Sequence, residues 1–312
     1  MKMAKAVTLV EMGMRDGLQN EKTVVSATAR IEFAQLLMAS GVRRLELGAF
    51  VSPKWVPQMA GTADVVAGVM GLNPKFKKKN DFSVLVPNEQ GMIDAIASGV
   101  KEVAIFTAAS ESFAQKNINC SIEESFARFE PVMALAKKHG IKVRGYLSTC
   151  FGCPFEGPVS EAVVVKLAHR LYKMGCYEVS IGDTIGVANA GQVKSVFTKL
   201  KKRIPTKKLA GHFHDTRGQA LANILMAYNL GVSVFDTSVG GLGGCPYAPG
   251  ATGNVATEDV VYMFHGMGVK TGLKLDKLLV ANRFIEKQVQ HELPSKVGNA
   301  RFFTNPKTGK TI

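Results

Sequence analysis

The sequence predicts an α/β protein, a (β/α)₈ barrel of the TIM type with an extra C-terminal helix. Two observations predict it. The first is a phrase of helix, glycine and apolar strand that recurs along the chain: "LMASGVRRLEL" (Gly41), "AIASGVKEVAIF" (Gly99), "AKKHGIKVRGYL" (Gly140), "LYKMGCYEVSI" (Gly175), "AYNLGVSVFDTS" (Gly231) and "FHGMGVKTG" (Gly268). Glycine just past a helix takes the left-handed conformation that closes the last turn. The second is that strands alternate with helices throughout, which implies a parallel sheet. Eight such units within one chain of 312 residues fit a closed barrel.

In order, the strands are Val7–Glu11, Arg43–Leu47, Phe82–Val86, Glu102–Thr107, Lys142–Leu147, Glu178–Ile181, Leu209–His214 and Val234–Ser238. Two helix-to-strand transitions lack the glycine, at "GLNPKFKKKNDFSVLV" and "KKRIPTKKLAGHF", where Pro74 and Pro205 help stop the helix. "SIEES" is a capping box, Ser121 with Glu124, that opens one helix. Leu275–His291 reads as the extra helix. Residues 1–292 therefore form one catalytic domain, and 293–312 a loosely ordered tail.

Composition excludes several classes. With 46% hydrophobic and 21% charged residues the balance is that of a globular protein. No apolar run approaches the roughly 20 residues that span a bilayer, and the start carries no signal-peptide pattern. Five cysteines without regular spacing suit a reducing compartment, so the expected location is the cytoplasm. The net charge is +14, and the densest basic runs are "KFKKK" (Lys75 to Lys79) and "KLKKRIPTKK" (Lys199 to Lys208). Neither run has the interleaved aromatic platform of a single-strand binder, so they read as solvated faces and no nucleic acid is expected.

Functional groups of a TIM barrel gather at the carboxyl ends of the strands, and here the polar residues do so. Glu11 ends the first strand, with Arg15, Asp16 and Asn20 in the loop after it. Glu46 lies near the end of the second, Asp183 just after the sixth, and His212 and His214 at the end of the seventh. Cys245, Asn254 and Glu258 follow the eighth. Two histidines two residues apart on a strand point to one side. Asp16 and Asn254 bring oxygen ligands from the neighbouring strands one and eight, and imidazole, carboxylate and amide together suit Mg²⁺ or Mn²⁺, less well Zn²⁺. "CFGC" (Cys150 to Cys153) has no second pair and reads as structural. "GGLGG" lacks the Lys-Ser/Thr of a phosphate loop and reads as a glycine-rich lid carrying Cys245. His139, His169, His265 and His291 fall on helices and receive no role.

The loops "RDGLQNEK", "FVSPKWVPQMA", "KNINCSIEESF", "GCPFEGPVS", "GDTIGV", "HDTRGQALAN" and "GLGGCPYAPGATGNVATED" resemble those of the 3-hydroxy-3-methylglutaryl-CoA lyase family, over roughly residues 7 to 290. The resemblance implies a divalent-cation-dependent enzyme that cleaves its acyl-CoA substrate to acetyl-CoA and acetoacetate, with a place in leucine degradation and ketone-body formation. It implies Asp16, His212, His214 and Asn254 at the metal, Arg15 at the enolate oxygen and Cys245 acting from the lid. Either Asp16 or His212 takes the alcohol proton. Glu46, Asp183 and Glu258 would support the site, with Ser180 and Glu11 as weaker members. Lys22 and Lys54 are the cations expected at the CoA phosphates, and a homodimer is the expected assembly. Two positions depart from the family pattern: Ala49 stands in place of a hydroxyl residue and Arg217 in place of a tyrosine. They bear on whether a bulkier branch at C3 is accepted. The rival activities are a lyase for a longer branched 3-hydroxyglutaryl-CoA and a Claisen-condensing synthase of the isopropylmalate or homocitrate type.

Overall fold

A computed structural model describes residues 4–72, 80–244 and 253–300. Eight parallel strands close into a barrel in sequence order: β1 (Thr8–Glu11), β2 (Arg44–Ala49), β3 (Asp81–Leu85), β4 (Glu102–Ala108), β5 (Lys142–Ser148), β6 (Glu178–Asp183), β7 (Leu209–Phe213) and β8 (Val234–Thr237), with β8 pairing back onto β1. All eight stand within two residues of their expected bounds. β6 runs on to include Asp183, and β7 stops at Phe213, leaving His214 in an isolated bridge to Asn254. Strands covered on both faces need apolar residues on both, and β6 is buried along its whole length.

Helices wrap the barrel. They are α1 (Ala27–Ala39), α2 (Thr62–Gly71), α3 (Glu89–Ser98), α4 (Glu111–Ile118), α5 (Ile122–His139), α6 (Glu161–Met174), α7 (Ala190–Leu200), α8 (Ala220–Asn229), α9 (Thr257–Gly266), α10 (Leu275–Val289) and the short α11 (Lys296–Asn299). The glycines that punctuate the sequence behave as expected: all six have positive φ, from 64° at Gly140 to 115° at Gly175. The Ser121–Glu124 capping box forms at the start of α5, with both reciprocal bonds present.

Two expectations need correction. His291 is not helical: α10 ends at Val289, Gln290 turns left-handed at φ 62°, and His291 pairs with Glu21 at 2.7 Å. Nor is the chain loose from Leu293 onward. Leu293 is 2% exposed and packs against Gly240, Ser295 N–H bonds the Gly240 carbonyl at 3.1 Å, and Asp259 accepts from the backbone at Lys296 and Val297. The first part of the supposed tail thus braces the turn after β8. Residues 301–312 lie outside the described residues, as does the Lys75–Lys79 run. The second basic run ends where β7 begins, at the end of the barrel opposite the site described next.

Candidate active site

Immediately after β1 the backbone winds into a single π-turn, Gly13–Gly17, that swings Arg15 and Asp16 over the barrel mouth. Such turns are uncommon and concentrate at functional sites. The buried Glu11 carboxylate shapes this one: it accepts the N–H of Gly13 at 2.9 Å, the N–H of Val239 at 2.9 Å and the hydroxyl of Thr257 at 2.7 Å. A Cβ at position 13 would lie 2.6 Å from Glu11 Oε1, so any larger residue there would push aside the carboxylate that holds this turn. Glu258 holds the facing turn, accepting from Gly240 N–H at 3.0 Å and from Asn282 at 2.7 Å.

Arg15 is clamped. Its Nε donates to Glu46 Oε2 at 2.5 Å, its Nη1 to Asp16 Oδ1 at 2.6 Å, and its guanidinium lies 5.6 Å from the Tyr146 ring centre. Glu46 is 0% exposed and takes the Tyr146 hydroxyl on its other oxygen at 2.9 Å. Burial pushes the Glu46 carboxyl up, an effect only partly offset by Arg15. Burial works against the charge of Arg15 too, but Glu46 and Asp16 outweigh it and raise the guanidinium above its ordinary value.

Three ligand atoms, one each from Asp16, His212 and His214, lie within 4.8 Å of one another. Both histidine Nε2 atoms stand 3.8 Å from Asp16 Oδ2, which also accepts from Asn254 Nδ2 at 2.9 Å. Burial alone would raise the Asp16 carboxyl, yet Arg15 and the two imidazoles hold it well below the usual carboxylate range. The donor set fits a divalent cation. One further buried atom next to Asp16, the Oδ1 of Asn254, has no hydrogen-bond partner among the described residues, and buried polar atoms are seldom left so. Asp16, His212, His214 and Asn254 are the residues that would hold the ion.

The remaining sequence candidates divide. Ser180 gives its hydroxyl to Asp236 at 2.7 Å beneath His212. Asp183 accepts backbone N–H groups on both carboxylate oxygens, Val187 at 2.9 Å and Ala188 at 3.0 Å, which shapes the β6–α7 loop, and its charge is felt by His212 and His214. Cys245 lies outside the described residues. Cys150 and Cys153 are buried free thiols, and Cys150 is pushed up by burial, in keeping with a structural role.

A cavity of about 1010 Å³ opens above Arg15, Asp16, His212 and His214. Lys116 and Arg128, on α4 and α5, line its wall, whereas Lys22 and Lys54 do not. Ala49 lines a neighbouring cavity, and Arg217 spends its Nη1 on the carbonyls of Ile185 and Gly186. Neither departure from the family pattern therefore lies in the lining of the main cavity. Sequence reasoning missed Asp236, Arg144 and Tyr146, all buried and all on strands. The available signal was a charged or phenolic side chain inside an apolar strand, as in "KVRGYL" and "VFDT".

Burial raises both Glu11 and Glu258 from 4.5 to about 7, against the hydrogen bonds that each accepts. A carboxyl raised on folding contributes stability that is fully present below its ordinary 4.5 and is lost as pH rises through about 7. The advantage of wild type over Glu11→Gln in thermal midpoint should therefore shrink across that window. Parallel melting curves for the two proteins over the same range would show that Glu11 does not titrate there.

The HMGL-like family model matches residues 6–285 of the chain. The chain is 53% identical over 296 residues to the mitochondrial hydroxymethylglutaryl-CoA lyase of Rattus norvegicus, covering 95% of this chain and 90% of the relative. It is 50% identical over 285 residues to the 3-hydroxy-3-isohexenylglutaryl-CoA/hydroxy-methylglutaryl-CoA lyase of Pseudomonas aeruginosa, covering 91% of this chain and 93% of the relative. A solved HMG-CoA lyase from Acinetobacter baumannii, in complex with coenzyme A and 3-methylmalate, superposes with a TM-score of 0.91 at 34% identity, covering 98% of both chains.

Proposed function

The chain belongs to the HMGL-like family, and from that premise we propose that it is a divalent-cation-dependent lyase cleaving 3-hydroxy-3-methylglutaryl-CoA to acetyl-CoA and acetoacetate. One observation carries the reading: Arg15, held by two carboxylates, stands beside the Asp16–His212–His214 cluster on the floor of one cavity.

The chemistry is a retro-Claisen cleavage. The tertiary hydroxyl gives its proton to Asp16 or His212. Its oxygen becomes the ketone of acetoacetate as the bond between C2 and C3 breaks. The bonding pair passes to C2, forming the enolate of the acetyl thioester, which then takes a proton. A divalent cation held by Asp16, His212, His214 and Asn254, Mg²⁺ or Mn²⁺ by that donor set, would supply Lewis-acid polarisation that lowers the hydroxyl's pKa. Arg15 presents permanent positive charge where the enolate oxygen gains negative charge. Its clamp by Glu46 and Asp16 means little reorganisation is needed during the reaction. We assign the proton returned to C2 to Cys245 on sequence grounds. Cys245→Ala should cost about 10²–10⁴ in turnover with acyl-CoA binding retained, the scale of a lost general acid.

Lys116 and Arg128 on the cavity wall support an anionic acyl-CoA more directly than Lys22 and Lys54 do, and the coenzyme A bound to the Acinetobacter baumannii relative supports the same ligand class. The four described cysteines are free and buried, which supports a reducing compartment such as the cytoplasm. No described helix is long and apolar enough to cross a membrane. Light scattering of the purified chain should give the mass of the homodimer.

The substrate is tested by competition. Purified protein with Mg²⁺ receives the methyl thioester and its isohexenyl counterpart, and acetyl-CoA release is measured for each. The reading expects a higher kcat/KM for the methyl compound. A preference for the longer branch would move the assignment to the rival lyase activity; no cleavage of either thioester, with condensation when acetyl-CoA and a 2-oxo acid are supplied instead, would move it to the synthases.

A further inference from the structure

We propose that Asp236 is a positioning residue for the cation cluster: paired with Arg144 and oriented by Ser180, it fixes His212 with the proton on Nδ1 and leaves Nε2 bare toward Asp16. The proposal rests on the cation reading above, and it concerns a residue on β8 that supplies no ligand itself.

Asp236 and His212 sit in register on the adjacent strands β8 and β7, so their side chains leave the sheet on the same side. Asp236 Oδ2 stands 3.3 Å from His212 Nδ1 and accepts the Ser180 hydroxyl at 2.7 Å. Asp236 Oδ1 lies 2.7 Å from Arg144 Nη2. Arg144 is 0% exposed, and its Nε is also paired, with Glu178 Oε1 at 2.7 Å. A carboxylate beside a fully buried guanidinium is ionised and accepts hydrogen bonds only. Since the Ser180 proton already points to Oδ2, the imidazole nitrogen facing that oxygen is stable there only as a donor. The tautomer of a neutral histidine follows from such partners.

The consequence lies at the far side of the ring. His212 Nε2 stands 3.8 Å from Asp16 Oδ2, the centre of the cluster. With Nδ1 protonated, Nε2 offers a lone pair to a cation or to the substrate's hydroxyl proton. In the other tautomer it presents an N–H that excludes both. A carboxylate behind a ligating histidine is a general device for orienting the ring and raising its basicity. Arg144 extends the framework further, because its guanidinium also lies 5.0 Å from the ring centre of Tyr146, which bonds Glu46 behind Arg15.

Asp236→Asn separates positioning from packing because it keeps the volume and removes the acceptor-only character. The amide oxygen would turn to Arg144, leaving NH₂ toward Nδ1 and driving the proton to Nε2. The test uses metal-free protein carrying ¹⁵N-histidine at alkaline pH, where the ring is singly protonated; His212 is assigned by its loss in His212→Ala. Wild type should show the proton on Nδ1 and Asp236→Asn on Nε2. Mn²⁺ titration should show affinity reduced about 10–100-fold in the variant, with an unchanged circular dichroism spectrum. A wild-type His212 protonated on Nε2, or equal Mn²⁺ affinity in the folded variant, would overturn the proposal. If Asp236→Asn fails to fold, the wild-type tautomer decides alone. A wild type that binds no Mn²⁺ would count against the cation reading, and the tautomer would still decide the role of Asp236.

Discussion

Arg15→Lys should lower kcat by about 10²-fold or more, the scale of a lost oxyanion donor, while acyl-CoA binding changes far less. Lysine keeps the charge and loses the planar fork. In wild type the guanidinium is held at Glu46 by 2.5 Å and at Asp16 by 2.6 Å, and it lies against Tyr146. A single ammonium cannot reach both carboxylates and the reacting oxygen from the same backbone position. The interaction strengthens as charge develops in the transition state, so the loss falls on kcat and not on KM. Because Glu46 is 0% exposed, the variant also leaves a buried carboxylate poorly paired, and its thermal midpoint should fall with the rate. Weakened binding at normal kcat would show that Arg15 holds substrate and does no more.

The second large effect is expected from His214→Ala. His214 sits just past β7, in a bridge to Asn254 at the barrel mouth, so its removal should spare the closed sheet. It takes away one of the three clustered ligand groups and leaves Asp16 Oδ2 with a single imidazole beside it. Cation affinity should fall steeply. Turnover at limiting cation should fall by several orders of magnitude, since Lewis-acid stabilisation amounts to several kcal/mol. Excess Mn²⁺ should restore part of the rate. Calorimetric titration with Mn²⁺ reads the first effect and the rate at increasing Mn²⁺ the second. Undiminished affinity would remove His214 from the ligand set.

Much of this site was legible because it obeys local periodicities. The glycine after each helix marked the units of the barrel, and all six glycines adopt positive φ. The two-residue spacing of His212 and His214 placed both rings together, 5.1 Å apart between centres. Asp16 and Asn254, which the resemblance implied as ligands, also meet, with Asn254 Nδ2 2.9 Å from Asp16 Oδ2. What stayed hidden depends on pairings between distant strands. Asp236 looks like a lone polar interruption in an apolar strand until β7 lies beside it. Arg144 is intelligible only once Glu178 and Asp236 are within 2.7 Å of it. Lys116 and Arg128 belong to helices after β4, so no strand-end rule pointed to them, whereas Lys22 and Lys54 lie in strand-end loops yet off the cavity wall. Asp183 was legible from its strand end, whereas the backbone donors that hold its two oxygens, Val187 and Ala188, belong to the loop that follows and show only in the fold. The segment from Leu293 read as loose because its anchors, Gly240 and Asp259, lie far back in the sequence.

The central claim is cation-dependent cleavage between C2 and C3 of a 3-hydroxyglutaryl thioester. It is tested most directly by incubating the purified protein with 3-hydroxy-3-methylglutaryl-CoA and quantifying both products, first with Mg²⁺ and then after exhaustive chelation. Equimolar acetyl-CoA and acetoacetate with Mg²⁺, none after chelation, and recovery on adding Mg²⁺ or Mn²⁺ back is the predicted result. Full turnover in the chelated protein, or release of free CoA without acetoacetate, would contradict it.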